Sequence, residues 1–354
     1  MDKLTAAVVG GGQGGRLSLS ALAASDLFEL KAVADLRPEV REELQREFPG
    51  IATYADHRAM FAECPTDVVC VSTYPPSHEE VTMDALAMPQ LKGLLVEKPL
   101  GHTAASGRRI LEAIKERKLP VSVPHGLIAK ATPLEIIKRV KRGDIGELKL
   151  VEIQNDKWDI INAGIHWLQF SMSLMQDDPL DWVMAQCDSS TRTYRDGMQV
   201  ETAAITYAQT RGGVRIVMNT GDDVLVNREG KDTLFRLVGT RGTIEFWGWE
   251  NGYALQSRDW RDEGLIVPEE YPVTGHRRHL ENMASDIESG APDYRVADSS
   301  LAALQIVEGA YLSARERCRV TFPVDRFQPP SEGRDWVAGI PYDGVGGGRN
   351  GRLL

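Results

Sequence analysis

The stretch TAAVVGGGQGGRLSLSALAAS, residues 5–25, decides how the rest of the chain is to be understood. Ala6–Val9 is a short apolar run of the kind that forms a strand buried on both faces, and a helix-forming run opens at Gln13. Between strand and helix, Gly10, Gly12 and Gly15 stand in G-x-G-x-x-G spacing. Each glycine has a physical task there: a tight turn, room for a pyrophosphate against bare backbone, and close packing of helix on strand. The helix N-terminus offers free N–H groups and a positive dipole end to phosphates. The second strand ends in Asp35, 20 residues after Gly15. A carboxylate at that place accepts hydrogen bonds from ribose hydroxyls and repels a 2′-phosphate, while Arg37 softens the repulsion. These residues predict a dinucleotide site that prefers NAD to NADP.

Outward from this unit, strand-like and helix-like runs keep alternating. FELKAVAD, TDVVCVST, KGLLVE and LPVSVPH read as strands, with helices between them. One helix is opened by Pro38, and another carries Ser77 and Glu80 at capping-box spacing. Such alternation implies a doubly wound parallel sheet over residues 1–125. Its ligand lies outside the carboxyl ends of the strands, where strand order reverses. The strand next to the first then ends at Ser72-Thr73, and the one beyond it at Glu97-Lys98. Strands lie ~4.8 Å apart, which puts Lys98 about 10 Å sideways from the glycine turn, where a nicotinamide would reach. Successive side chains point to opposite faces, so Glu97 and Lys98 cannot both face the ring. Pro99 confines the lysine backbone to extended conformations and helps to hold it at the strand exit.

Composition bounds the alternatives. The chain has 354 residues, 42% of them hydrophobic, and a net charge of −10. That charge speaks against nucleic-acid binding, which needs a basic face. No apolar run approaches the ~20 residues that span a bilayer, and LTAAVV is too short for a signal-peptide core. Cys64, Cys70, Cys187 and Cys318 form no CxxC pair, so neither a metal centre nor a disulfide framework is indicated and a reducing cytoplasm is expected. His276 and His279, flanking Arg277 and Arg278, read as a solvated helix start. From about Gly146 longer alternating runs take over: ELKLVEIQ, DWVMAQCD, ETAAITYAQ, VRIVMNT and LFRLVGTRGTIEFWG. They predict a second, α+β domain over 126–327 with a large, mostly antiparallel open sheet, one face packed on helices. Residues 328–354 form a Gly- and Pro-rich tail whose VGGGRNGR lacks the flanking strand and helix of a phosphate loop.

VVGGGQGG, AVAD, VSTYPPSHEEVTMDAL, EKP, RGDIGEL and RVTFPV together resemble the glucose–fructose oxidoreductase / inositol dehydrogenase family over about residues 4–325. The resemblance implies oxidation or reduction of sugars, cyclitols and related polyols with NAD or NADP. It also implies a homodimer or homotetramer joined through the open sheet. By that likeness Lys98 matches the catalytic lysine, and Thr73, Pro75 and His78 the loop flanking the cofactor. The family's Asp-x-x-x-His pair is altered: His166 is present, but Asn162 stands where Asp is expected. Pro124-His125-Gly126 replaces the usual substrate-contacting stretch, with His125 a candidate contact.

No charged residue occurs from Ile160 to Gln176. On a regular helix Asn162, His166, Gln169 and Ser173 fall in one narrow polar stripe between apolar flanks. The stripe fits a cavity wall that meets a polyhydroxylated ligand; the bland alternative is that these groups bond one another inside a core. The expected chemistry is that Lys98 handles the proton of a substrate hydroxyl, with His166, from the second domain, assisting at the same carbon. Burial and the positive charge of oxidised nicotinamide would both favour a lysine acting as base. Two rivals share these features: a glycosidase that keeps NAD bound and works through transient oxidation, and a non-catalytic NAD-responsive regulator.

Overall fold

The computed structural model describes residues 2–190, 193–195, 198–226 and 230–324. The chain divides into two compact units. The first runs to Ala129 and takes in Val273–Asp298; the second comprises Lys130–Pro272 and the chain from Ser299 onward. The sequence division at 125/126 lies close to the first boundary, but it gave the return segment 273–298 to the second domain.

The first unit is a six-stranded parallel sheet in the order β3-β2-β1-β4-β5-β6. Its strands are β1 (Leu4–Val9), β2 (Phe28–Ala34), β3 (Ala52–Tyr54), β4 (Val68–Val71), β5 (Gly93–Val96) and β6 (Val121–Ser122). The helices between them are α1 (Gln13–Ala24), α2 (Pro38–Glu47), α3 (His57–Glu63), α4 (Pro75–Leu86) and α5 (Ala104–Glu116). Strand order reverses between β1 and β4, as the alternation predicts. Val68–Val71 and Leu94–Val96 are fully buried, because helices cover both faces. Helix α8 (Gly275–Ser289) joins this core through Leu280, Met283 and Ala284, packed with Leu19 and Leu22 of α1.

The cap of α4 differs from expectation. Tyr74 is the N-cap and Pro75 and Pro76 occupy the first turn, so Ser77 lies inside the helix and donates back to the Tyr74 carbonyl at 2.9 Å. The preset φ of proline starts the helix three residues earlier than a cap at Ser77 would. The capping box that does form is on α5, between Thr103 and Ser106.

The second unit begins with α6 (Ala131–Lys141) and contains a nine-stranded sheet. Its strands are β7 (Leu148–Asp156), β8 (Leu180–Asp188), β11 (Ala203–Thr210), β12 (Arg215–Gly221), β13 (Thr233–Gly239), β14 (Thr243–Phe246), β15 (Tyr253–Ser257), β16 (Arg261–Ile266) and β17 (Val320–Thr321). A separate two-stranded ribbon is made by β9 (Thr193–Arg195) and β10 (Met198–Val200). The order is β16-β15-β14-β13-β7-β12-β11-β8-β17, and only β7–β12 is parallel. One face is covered by α7 (Ile165–Leu174), whose Phe170 meets Phe235 and Phe246 at ring separations of 5.5 and 5.1 Å. Strand β13 alternates accordingly, with Thr233, Phe235 and Leu237 inward and Leu234, Arg236 and Val238 outward. Helix α9 (Arg295–Glu316) adds Ala303, Leu304, Val307 and Tyr311 to the buried set. The tail 328–354, with its glycine-rich run, lies outside the described residues.

Candidate active site

The glycine turn is shaped as its spacing requires. Gly10 has φ +97°, and a Cβ there would lie 2.3 Å from the Ser72 carbonyl oxygen at the exit of β4. A Cβ on Gly15 would sit 1.8 Å from the Gly10 carbonyl oxygen, so only glycine lets α1 pack this close. Gly12 is different: its Cβ would meet nothing within 4 Å, and as N-cap of α1 it brings no side chain to the first amides. That open backbone is what a pyrophosphate needs. Gln13 follows on the exposed side.

Asp35 is buried immediately beyond β2. Its carboxylate accepts from Gly11 N at 2.7 Å and from Arg37 N and Nε at 2.9 and 3.1 Å. Burial resists ionisation, but these bonds from Arg37 and Gly11 outweigh it and hold the carboxyl below its ordinary value. Asp35 is thus a fixed anion, with Arg37 turned onto it. Cradle and carboxylate both fit an NAD molecule.

Around the Glu97-Lys98-Pro99 box the structure adds partners that the sequence hides. Glu97 is buried; its Oε1 accepts from His276 Nε2 at 2.6 Å, and its Oε2 accepts from Lys98 N at 3.2 Å. A Cβ on Gly14 would come within 3.1 Å of the Glu97 carboxyl, so this acid lies against the glycine turn. Burial opposes its ionisation; the hydrogen bond from His276, with Lys98 and His78 nearby, prevails and lowers its pKa. Lys98 is half-buried one residue beyond, joined to Pro99 by a cis peptide bond. Ser72 is buried, and the hydroxyl oxygens of Thr73 and Ser77 lie 2.8 Å apart. Pro75 is buried as the first residue of α4. His78 has no exposed surface; its Nδ1 and Nε2 lie 3.0 and 2.9 Å from the carbonyl oxygens of Pro99 and Thr73. Burial favours the neutral ring, whose single N–H donates to one of these two carbonyl oxygens at a time.

The histidines 276 and 279 do not form the solvated helix start expected. His276 bonds Glu97, and His279 is buried with Nε2 donating to the His125 carbonyl oxygen at 3.0 Å. Burial pushes the His279 ring down to about 4, so it stays neutral. The reason is tertiary: the helix that carries them returns to the first unit. His125, the candidate substrate contact, is fully buried, and burial, with His279 and Lys98 nearby, lowers it well below the usual histidine value. Among the described residues, no group of His, Cys, Asp and Glu could hold a metal ion. No described helix is long and apolar enough to cross a membrane.

In the second unit the uncharged segment is not one regular helix. Ile160–Gly164 is a single π turn, closed by Gly164 N donating to Asp159 O at 3.0 Å, and α7 follows. The wider winding breaks the even angular spacing assumed for Asn162 and His166. Farther along, the bland alternative for the stripe holds. Gln169 Nε2 donates to Ser173 Oγ and to Ser299 Oγ, both at 2.9 Å, all three residues being buried. Every residue of α7 is buried except His166, which is half-buried.

Beneath the π turn lies an ionic network that sequence reasoning missed. Asp159 Oδ1 accepts from Asn162 N at 2.7 Å and from Asn162 Nδ2 at 3.1 Å, and its Oδ2 accepts from Arg195 Nη1 at 2.6 Å. Because a carboxylate only accepts, the NH₂ side of Asn162 must face Asp159, and its carbonyl oxygen points elsewhere. Arg195 also lies over the Trp158 ring, 4.3 Å from its centroid. Glu201 accepts from Ile160 N at 2.7 Å and Tyr311 Oη at 2.6 Å. Burial, reinforced by the Asp159 charge, pushes its pKa up to about 7. The Asp159-x-x-Asn162 spacing of an N-cap was visible in the sequence. The partners Arg195, Glu201 and Tyr311 were not.

An open glycine turn and a fixed carboxylate beside one reversal of strand order are what a dinucleotide-binding sheet presents. The chain belongs to a single family: residues 4–125 match an oxidoreductase family with an NAD-binding Rossmann fold, and residues 137–322 match its C-terminal α/β domain. This is the family that the Glu-Lys-Pro box and its companion motifs resemble, and NAD is the cofactor. The chain is 24% identical over 329 residues to the rhizopine catabolism protein MocA of Rhizobium meliloti, across 88% of this chain and 95% of that protein. It is 36% identical over 231 residues to an inositol 2-dehydrogenase of Burkholderia multivorans, across 60% of this chain and 64% of the relative. A levoglucosan dehydrogenase solved with NADH and levoglucosan has the same fold, with a TM-score of 0.75, 18% identity, and coverage of 91% of this chain and 100% of that one.

Proposed function

We propose that the protein transfers a hydride between NAD and a hydroxyl-bearing carbon of a sugar, cyclitol or related polyol. Lys98 moves the hydroxyl proton and His166 assists. The observation that carries this is Lys98 itself: a half-buried cation at the exit of β5, two strands along from an open glycine cradle. Oxidising a hydroxyl-bearing carbon releases a hydride and a proton, and bound NAD supplies the hydride acceptor. The chain supplies the rest. Glu97 and His276 hold the backbone and charge around Lys98, and His78 packs between the flanking turns. Asn162, its NH₂ side held by Asp159, keeps a neutral acceptor where the family carries a carboxylate. The activities named for relatives, on inositol and levoglucosan, support a polyol substrate. With purified protein and NAD, a panel of cyclic polyols and aldoses should yield NADH with at least one member. NADP should serve less well, because Asp35 is a fixed anion. NAD binding without NADH from any member would sink the proposal, and sugar release from a glycoside without net NADH would replace it with the glycosidase.

A second copy of the chain is the proposed partner. On the outward face of β8 and β11, Met184 and Ile205 are 49% and 57% exposed, and Trp182 stacks on Tyr207 at 5.2 Å. Adjacent exposed apolar side chains on an open sheet favour covering by a like surface. Sedimentation should show a dimer or tetramer. Ile205→Glu with Met184→Glu should lower the mass with the fold intact; an unchanged mass would remove this face from the interface.

A further inference from the structure

We infer that Trp249 is a stacking platform for the ring of a cyclic polyol, and so a determinant of substrate class in this protein. The inference deepens the proposed function and rests on it. Three tryptophans lie near one another in the second unit, and they are treated differently. Trp167 is 1% and Trp247 7% exposed, but Trp249 keeps 44% of its surface open. Its indole packs on Trp167, with centroids 5.0 Å apart, and meets the His166 ring edge-on at 5.5 Å. An indole packed against a buried indole, yet with 44% of its surface exposed, is a preformed apolar surface beside the histidine.

The turn that carries it is anchored. Gly248 has φ +56°, and a Cβ there would lie 2.9 Å from the Thr233 Cβ, so glycine is required for the chain to bring residue 249 round. Lys130 Nζ donates to the Trp249 carbonyl oxygen at 2.5 Å. Thr132 Oγ1 donates to Asn251 Oδ1 at 2.6 Å and accepts from Gly252 N at 2.8 Å. The indole therefore loses little freedom when a ligand arrives, and such preorganisation favours binding.

The chemistry names the ligand. An indole face carries negative quadrupolar charge, and the C–H bonds on one face of a six-membered polyol ring carry the complementary positive charge. A ring presents several such bonds in one plane, whereas an open-chain polyol does not. A ring lying on Trp249 would have its hydroxyl-bearing edge within about one ring's width of His166, where assistance to a hydroxyl is needed.

The test uses the full chain with NAD, with myo-inositol and D-glucose as cyclic probes and D-glucitol as the open-chain control. Trp249→Ala should raise KM for the reacting cyclic probe about tenfold with kcat nearly unchanged, the pattern of lost uniform binding. KM for NAD and the response to D-glucitol should not move, and Trp249→Phe should restore most of the affinity. In the wild type the cyclic probe should quench indole emission, and Trp249→Phe should remove that quenching, which keeps the inference testable if the alanine variant fails to fold. An unchanged KM in folded Trp249→Ala, with NADH still formed, overturns the platform and leaves the oxidoreductase standing. Neither NADH formation nor quenching with any probe in the wild type overturns both.

Discussion

Lys98→Met is expected to lower kcat by about a thousandfold while NAD still binds, as removal of a positioned proton-transfer group does. Methionine keeps the unbranched shape of the stem and removes only Nζ. Glu97 keeps its bond from His276 in the variant, and the glycine turn is untouched, so cofactor affinity is the internal control for folding. His166→Asn should cost less than Lys98→Met. A double variant little slower than Lys98→Met alone would tie both residues to one step, because groups that act as a unit are not additive. Stopped-flow NADH formation and NAD titration check both points. Full turnover in folded Lys98→Met would end the assignment of the lysine, whatever the substrate.

Asp159→Ala is expected to destabilise the second unit by about 3–5 kcal/mol, the usual consequence of breaking a buried ion pair from one side. Arg195 and Asp159 side chains are only 5% and 0% exposed, so the guanidinium would be left with its charge in a poor solvent. The π turn would also lose the cap on Asn162 N. Denaturant unfolding measures the loss, and a change within error would show that the pair contributes nothing net. A linked pH effect follows from Glu201, whose pKa rises from an ordinary 4.5 to about 7 in the folded chain. Between those values the native state holds a proton that the unfolded state has released. Stability is therefore fullest at the acid end of that window and falls as pH rises through it, by roughly 3 kcal/mol if Glu201 acts alone. In Glu201→Gln that slope should flatten. A slope that persists would move the titration to another group.

Much of the first unit was legible in the sequence because its signals are local. The glycine spacing, Asp35 at a strand end and the strand–helix alternation each follow from backbone sterics within a few residues, and they yielded the strand order and the place of Lys98. In the second unit, β7, β8, β11 and β12 were found by their period of two. YALQS and RDEGLI were passed over as strands: the second is polar and exposed along most of its length, as an edge strand can be. The polar stripe misled at Gln169 and Ser173, because helical phase tells which residues share a face and not what that face meets. Ser299, 126 residues beyond Ser173, is what it meets.

By itself, then, the sequence determined the dinucleotide fold, the family, the cofactor and the lysine at the strand exit, since each depends on short-range constraints that few residue types satisfy. Only the tertiary structure decided which charges are paired and which aromatics are left open. Glu97 with His276, Asp159 with Arg195, Glu201 with Tyr311, and Trp249 beside His166 are contacts between distant segments. Burial sets the electrostatic worth of such pairs, and burial belongs to the packed chain and not to any stretch of it.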